Sequence, residues 1–294
     1  MARTKQSARF TRPPTPIPSA LNPLPSNTQA ILRTGPEAVA YHIPISISPP
    51  EISKTTISLP RHSRWTSGLH FHTSHTEYLH LLHGAIFVQL DNSLRIYSAE
   101  AGGQIHERTG ELVKPGLVIE VPRYVRHEWG RAEGGAYSGR RVHVCGIGRA
   151  GIVQRARDVG AEVVVEEWTD PADAQKALFF WNLNGIVNAA ADAPLPRLQR
   201  VLRELLGAWW IPFQLFVLFW ELDNWPVFAR LGYYEGRRTR WENVDEWCRR
   251  RVEEGMTFVV LLLAKVLGWV VGVRAVEQSR TPEGLWRAYQ AQRA

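Results

Sequence analysis

From Tyr41 to about residue 165, apolar and polar positions alternate in short runs punctuated by proline and glycine, at 43–47, 55–59, 86–90, 94–97, 117–121, 141–145 and 163–165. A period of two sends successive side chains to opposite faces of a strand, so this spacing predicts an all-β barrel or two packed sheets around an inward-facing pocket. Pro44 has no N–H to give to a ladder and restricts the first run to an edge strand. Gly102, Gly103 and Gly110 mark a loop. Near Thr169-Asp170-Pro171 the pattern changes. An N-capping residue followed by proline at the first helical position predicts a helix carrying Leu178, Phe179 and Phe180, and with it a domain boundary.

Beyond that boundary the chain is rich in tryptophan and leucine, and two segments are unusually apolar. Residues 205–220 carry no charge, but Pro212 interrupts them and they fall short of the roughly 20 residues needed to span a bilayer. Residues 256–273 are longer, with Lys265 in the middle, where a lone cation is costly in lipid. Three readings compete: a membrane hairpin with the arginine-bearing stretch 230–251 on one side, a pair of interfacial anchors, or helices buried against the barrel or a second copy of the chain. Trp209, Trp210, Trp220, Trp225 and Trp269 fall toward segment ends, which suits an interfacial belt and a core alike. Gly268 and Gly272 have the spacing that lets helices approach closely. Trp286 and Tyr289 suggest a short terminal helix.

The candidate chemistry lies in two stretches. In the first, His70-Phe71-His72 is followed by four residues, Glu77, six residues and Gly84; in the second, Gly116 is followed by five residues, Pro122, four residues and His127. His70 and His72, two apart on a strand, share a face; Glu77 would add an oxygen ligand from the next strand, and His127 would arrive from a distant one. Three neutral imidazoles and a carboxylate suit one divalent transition metal, whether iron, manganese, zinc, nickel or copper, and leave coordination positions open. These residues resemble the two motifs of the cupin superfamily over roughly residues 61–131. Three positions depart from the pattern: Arg64 and Tyr124 stand where the motifs usually have glycine, and Arg131 where the second usually closes with asparagine. The resemblance implies a jelly-roll barrel with the metal on His70, His72, Glu77 and His127. His75, Tyr78 and His83 are candidate proton-transfer residues, and strand alternation from Glu77 places His83 better than His80.

A narrower likeness spans most of residues 60–230. The run from His70 to Gly84, with His75-Thr76-Glu77-Tyr78 inside it, followed by Phe179-Phe180-Trp181-Asn182-Leu183-Asn184-Gly185, resembles fungal cupin-domain oxidoreductases of aromatic polyketide gene clusters. That resemblance implies a tailoring step on a phenolic or polyketide intermediate in the salicylaldehyde type of secondary metabolism.

Composition narrows the rest. A chain of 294 residues with 45% hydrophobic content can bury a full core. Cys145 and Cys248 are too few and too far apart for a disulfide framework, which points to an intracellular, reduced protein with both thiols as small buried residues. The net charge of +7 is not gathered into one basic face, so no nucleic-acid partner is expected. Much of it lies in the first 34 residues, where Arg3, Lys5, Arg9, Arg12 and Arg33 occur alongside six prolines and no acid occurs, the composition of a disordered tail. Residues 2–9 of that tail resemble the N-terminus of a core histone, a likeness that ends at Phe10. Gly146-Ile147-Gly148-Arg149-Ala150-Gly151 spells a dinucleotide fingerprint, but no strand–helix alternation surrounds it, and a turn leaving the barrel is the simpler account.

The expected architecture is therefore mainly β with α, a single cupin β-barrel followed by a C-terminal helical region. A disordered basic, proline-rich tail covers 1–36, the barrel 37–168, and a helical, membrane-associated or buried region 169–294. The expected function is a metal-dependent oxidoreductase acting on an aromatic or polyketide small molecule, with no organic cofactor site. The alternative is a non-catalytic small-ligand-binding cupin, anchored to a membrane or an assembly by its C-terminal helices. Cupins commonly pair, so a homodimer is open.

Overall fold

The computed structural model describes residues 14–47, 53–107, 109–132, 157–190, 194–229 and 240–293. In chain order the strands are β1 (Thr28–Arg33), β2 (Val39–Pro44), β3 (Thr55–Leu59), β4 (His70–Phe71), β5 (Thr76–His83), β6 (Ala85–Leu90), β7 (Ser93–Ser98), β8 (Gly103–Ile105), β9 (Leu112–Pro115), β10 (Val118–Val121), β11 (His127–Arg131), β12 (Val163–Asp170) and β13 (Trp225–Pro226). The helices are α1 (Gln175–Val187), α2 (Arg197–Leu206), α3 (Trp210–Glu221), α4 (Arg240–Val271) and α5 (Glu283–Ala291). The strands form two antiparallel sheets, ordered β1-β2-β3-β12-β5-β10 and β13-β4-β11-β6-β7-β8-β9. This is a two-sheet antiparallel β fold followed by helices, the mainly β with α architecture that the sequence predicts.

Alternation decides what lies inside. On β5, Glu77, Leu79 and Leu81 are buried while Thr76, Tyr78 and His80 are less so, and on β12 Val163, Val165, Glu167 and Thr169 point inward. The two strands pair in register, Glu77 opposite Thr169 and Leu79 opposite Glu167. Trp129 of β11, fully buried, meets Trp65 edge-on at 4.9 Å. Gly84 has φ near +77° beside the backbone of Glu162, a position where a Cβ would lie 2.2 Å from a carbonyl oxygen, so the β5–β6 turn requires glycine.

Several expectations fail for identifiable reasons. The predicted tail includes β1, whose register runs from Thr28 opposite Pro44 to Arg33 opposite Val39. Upstream of it, the Leu21 N–H donates to His42 Nε2, so the N-terminal segment covers the outer face of β2. With β1 on its flank, β2 is an interior strand, and Pro44 is tolerated because it ends the strand. The glycines at 102, 103 and 110 belong to a hairpin of β8 and β9.

The helix expected at Asp170-Pro171 starts at Gln175 instead, because Thr169 and Asp170 continue β12 as partners of Glu77 and Thr76. The boundary at 168/169 therefore cuts through a strand. Nor is the C-terminal region a separate unit, since β13 pairs with β4 and α1 packs on β2, with Phe180 at 5.3 Å from Tyr41. Helix α3 buries Trp210, Phe213, Val217 and Leu218. Gly268 of α4 sits where a Cβ would come within 2.8 Å of Val217, so one of the two glycines picked out for close approach serves it, within the chain. Cys248 is exposed, contrary to expectation. The histone-like segment, Cys145, the strand expected at 141–145, the glycine fingerprint and Arg237 to Thr239 lie outside the described residues.

Candidate metal centre

His70 lies on β4 and His72 immediately after it, Glu77 comes from β5, and His127 starts β11, where it pairs with His70. All four are buried, and one ligand atom from each falls within 4.8 Å of the others. Each imidazole is oriented by a backbone carbonyl. His70 Nδ1 donates to Gly68 O at 2.8 Å, His127 Nδ1 to Val125 O at 3.1 Å, and His72 Nδ1 to the carbonyl of Asp223. A proton held on Nδ1 leaves the Nε2 lone pair free, which is how metal-binding histidines are usually prepared. His127 Nε2 is buried with no hydrogen-bond partner among the described residues, its approach to Glu77 Oε1 being 3.6 Å. His72 Nε2 and Glu77 Oε2 face each other at 2.8 Å. A lone pair and a carboxylate at that distance require a proton or a cation between them, so the donor set fits a metal ion.

Burial, reinforced by the neighbouring His127 and His72, pushes His70 well below its usual range and keeps it in the neutral form that ligates. Burial alone would raise Glu77, but the Lys176 ammonium beside it holds it well below the carboxylate range.

Lys176 was not foreseen. It enters from the first turn of α1, 2.5 Å from Glu77 Oε2 and 3.2 Å from Glu167 Oε2. Burial opposes its charge, yet the two carboxylates hold its pKa above the ordinary lysine value. Glu167 accepts a 2.7 Å hydrogen bond from Trp129 Nε1, and burial raises its pKa. The signal for Glu167 was present in the alternation of 163–169; Lys176 carried none.

Asp223, also unforeseen, organises the loop between His72 and Glu77. Its carboxylate accepts from Thr73 N and Oγ1, Ser74 N, His75 N and Nδ1, and Trp225 Nε1, while its carbonyl holds His72. These bonds keep its pKa below the usual aspartate range against the effect of burial. His75 also donates from Nε2 to Asp173 at 3.1 Å; burial works against its charge, but the two aspartates raise its pKa to about 9. The candidate His75 is therefore a buried imidazolium tying the loop to the C-terminal region.

The other two proton-transfer candidates face away. Tyr78 alternates with Glu77 onto the outer surface, where it stacks on Trp168 at 5.5 Å. His83 follows a register shift opposite Val164 and Val165 and ends exposed, its Nδ1 donating to Glu162 O. His80 is outward as well, beside Glu166.

A cavity of about 180 Å³ adjoins His70 and Glu77. Tyr41, Trp65, Phe179, Phe180 and Phe219 supply aromatic walls, and Arg33, Ser67, Lys176 and Asn224 supply polar groups. Tyr41 accepts from Trp65 Nε1 at 2.8 Å, and burial pushes its hydroxyl up to about 12, so it remains a neutral donor. Of the run 179–185, Phe179, Phe180 and Leu183 reach this cavity. Asn182 instead bonds Thr281 and the Glu277 N–H, and Gly185 packs under Arg280. Arg131, where the motif has asparagine, donates to the carbonyls of Leu59, Gly160 and Ala161. Tyr124, where it has glycine, keeps a left-handed φ of 63°.

No protein-family model matches the chain, and no curated protein matches it. Among solved structures it is similar to a cupin 2 conserved barrel domain protein from Rhodopseudomonas palustris, at 9% identity over 50% of this chain and 74% of that one, with a TM-score of 0.28. It is also similar to KdgF from Halomonas sp., at 13% identity over 47% and 84% with a TM-score of 0.27. A third is a cupin-2 domain from Rhodospirillum rubrum, at 11% over 54% and 78% with a TM-score of 0.30. The likeness covers about half of the chain.

Proposed function

We propose that this protein is a metal-dependent cupin oxidoreductase that acts on a small aromatic compound, with one divalent transition metal held by His70, His72, Glu77 and His127. The observation that carries this reading is the set of three imidazoles with Nδ1 committed to backbone carbonyls, converging with a buried carboxylate beside an aromatic-walled cavity. When bound, the metal would supply Lewis-acid polarisation of a carbonyl or phenolate, or activation of dioxygen. The chain's own residues supply the rest. Phe179, Phe180 and Trp65 offer faces to an aromatic ring, and Lys176 and Arg33 offer positive charge to a phenolate or carboxylate. A phenolic polyketide intermediate, the substrate class implied by the sequence resemblance, suits such walls.

A second reading has one observation in its favour. The Lys176 ammonium already gives Glu77 a counter-ion without a metal, so the barrel can bind a ligand without turnover. Elemental mass spectrometry of the purified chain, with His72→Ala and Glu77→Ala, tests the first reading: one equivalent of metal in the wild type and little in either variant is expected. Metal-free protein after reconstitution would end it. Turnover of phenolic aldehydes and alcohols by metal-loaded protein separates catalysis from binding alone.

A further inference from the structure

Helices α2 and α4 leave apolar faces uncovered in a pattern that packing against the barrel does not explain. On α4 one side is committed to the protein: Glu253 pairs with Arg126, Thr257 Oγ1 donates to Pro226 O at 2.8 Å, and Leu261, Ala264 and Gly268 are buried. The opposite side presents Val259, Leu263, Val266 and Val270, all more than half exposed, with Trp269 82% exposed. On α2, Leu202 and Leu206 pack inward while Leu198, Val201 and Leu205 face out, and Trp209 just beyond is 66% exposed. Gln199 Nε2 donates to Gly272 O at 2.9 Å, which makes the two uncovered faces neighbours. Residues 197–211 and 256–274 carry Arg197, Arg200, Arg203, Lys265 and Arg274 against the single acid Glu204.

We propose that this surface seats the protein on an anionic phospholipid membrane as a peripheral, non-spanning anchor. Large exposed apolar area flanked by arginine and tipped with tryptophan is the composition of an interfacial helix, whose apolar side enters the headgroup boundary while basic groups meet lipid phosphates. Spanning is disfavoured by the bonds along the inner side of α4, which hold Glu253 and Thr257 against the barrel. A second copy is disfavoured by charge, because a two-fold interface sets a patch against itself and would oppose one basic cluster to another.

The test is co-sedimentation of the full chain with vesicles of phosphatidylcholine alone and with about 30% phosphatidylserine, at low and high salt. Binding to the anionic vesicles, weakened by salt, is expected. Leu205→Glu with Trp269→Glu, both at exposed positions, should lower that binding at least tenfold with an unchanged circular dichroism spectrum. Arg200→Glu with Arg203→Glu should lower it at least tenfold on anionic vesicles, at about fivefold or more per position. Equal or absent binding to both vesicle types would overturn the proposal. So would bound protein that resists release by alkaline carbonate, the behaviour of a spanning helix, or a dimer without vesicle binding that Leu205→Glu with Trp269→Glu dissociates.

Discussion

The barrel and the helices that follow it use apolar residues in opposite ways. On β5 from Thr76 to Leu81 and on β12 from Val163 to Thr169 every second side chain is buried, and the intervening ones, Val164 apart, are polar or aromatic, so each face has one assignment. On α4 apolar residues continue round the helix, with Leu261 fully buried and Leu263 64% exposed. A period of two states which side is inside; an apolar helix does not say whether its second side meets protein or lipid. The candidate metal centre lies where the two regions join, with candidate ligands on or beside strands and their supports, Lys176 and Asp223, from the helical part.

The sharpest way to break that contrast is to truncate one residue of each kind. Trp129→Ala, which empties a fully buried site and strips Glu167 of a hydrogen bond, is expected to cost about 3–5 kcal/mol, whereas Leu263→Ala should stay within about 0.5 kcal/mol. Urea denaturation of both variants measures the difference; equal costs would mean that the outer face of α4 is packed in solution.

Asp223→Ala probes the join. It deprives the Thr73–His75 loop of its acceptor and leaves His75 with one carboxylate, so a loss of about 2–4 kcal/mol is expected, with metal affinity about 10- to 100-fold weaker because the loop joining His72 to Glu77 loses its anchor even though the carbonyl that holds His72 remains. Calorimetric titration with zinc or cobalt, alongside denaturation, checks both parts, and an unaffected affinity would confine Asp223 to stability.

The same cluster makes stability depend on pH. His75 has a raised pKa of about 9 against 6.5 when unfolded, so the stability from its protonation is whole below about pH 6.5 and is lost as pH rises through 9. Asp223 acts in the other direction: its folded pKa is depressed, so its contribution is present above pH 3.8 and is lost as acid protonates it below that. Melting temperatures should fall between pH 7 and 9.5, and His75→Gln should flatten the fall. The smallest effect concerns Tyr124, whose left-handed backbone is strained for a side chain. Tyr124→Gly should raise stability by up to about 1 kcal/mol, measured by thermal melting.

The four candidate ligands were legible because His70, Glu77 and His127 sit on strands, with His72 immediately after one, and alternation and glycine turns are local properties. Their helpers were not. Lys176 looks like any surface lysine at a helix start until Glu77 and Glu167 surround it, and Asp223 lies some 150 residues from the loop that it organises. Tyr78 was legible in principle, since alternation from Glu77 puts it outside. His83 was misplaced because a register irregularity opposite Val164 breaks the count. The proline after Asp170 imitated a helix start because capping residues say nothing about whether the preceding strand still has a partner.

By itself, then, the sequence determined the barrel, its inward face and the chemistry of four ligands, because period-two patterning and short turns act over a few residues. Only the tertiary structure decided which cations and hydrogen bonds surround those ligands, that the N-terminal and C-terminal segments close the barrel, and which side of each apolar helix is left uncovered. Those outcomes depend on contacts between residues far apart in the chain, formed when strands choose partners and helices choose the faces they bury.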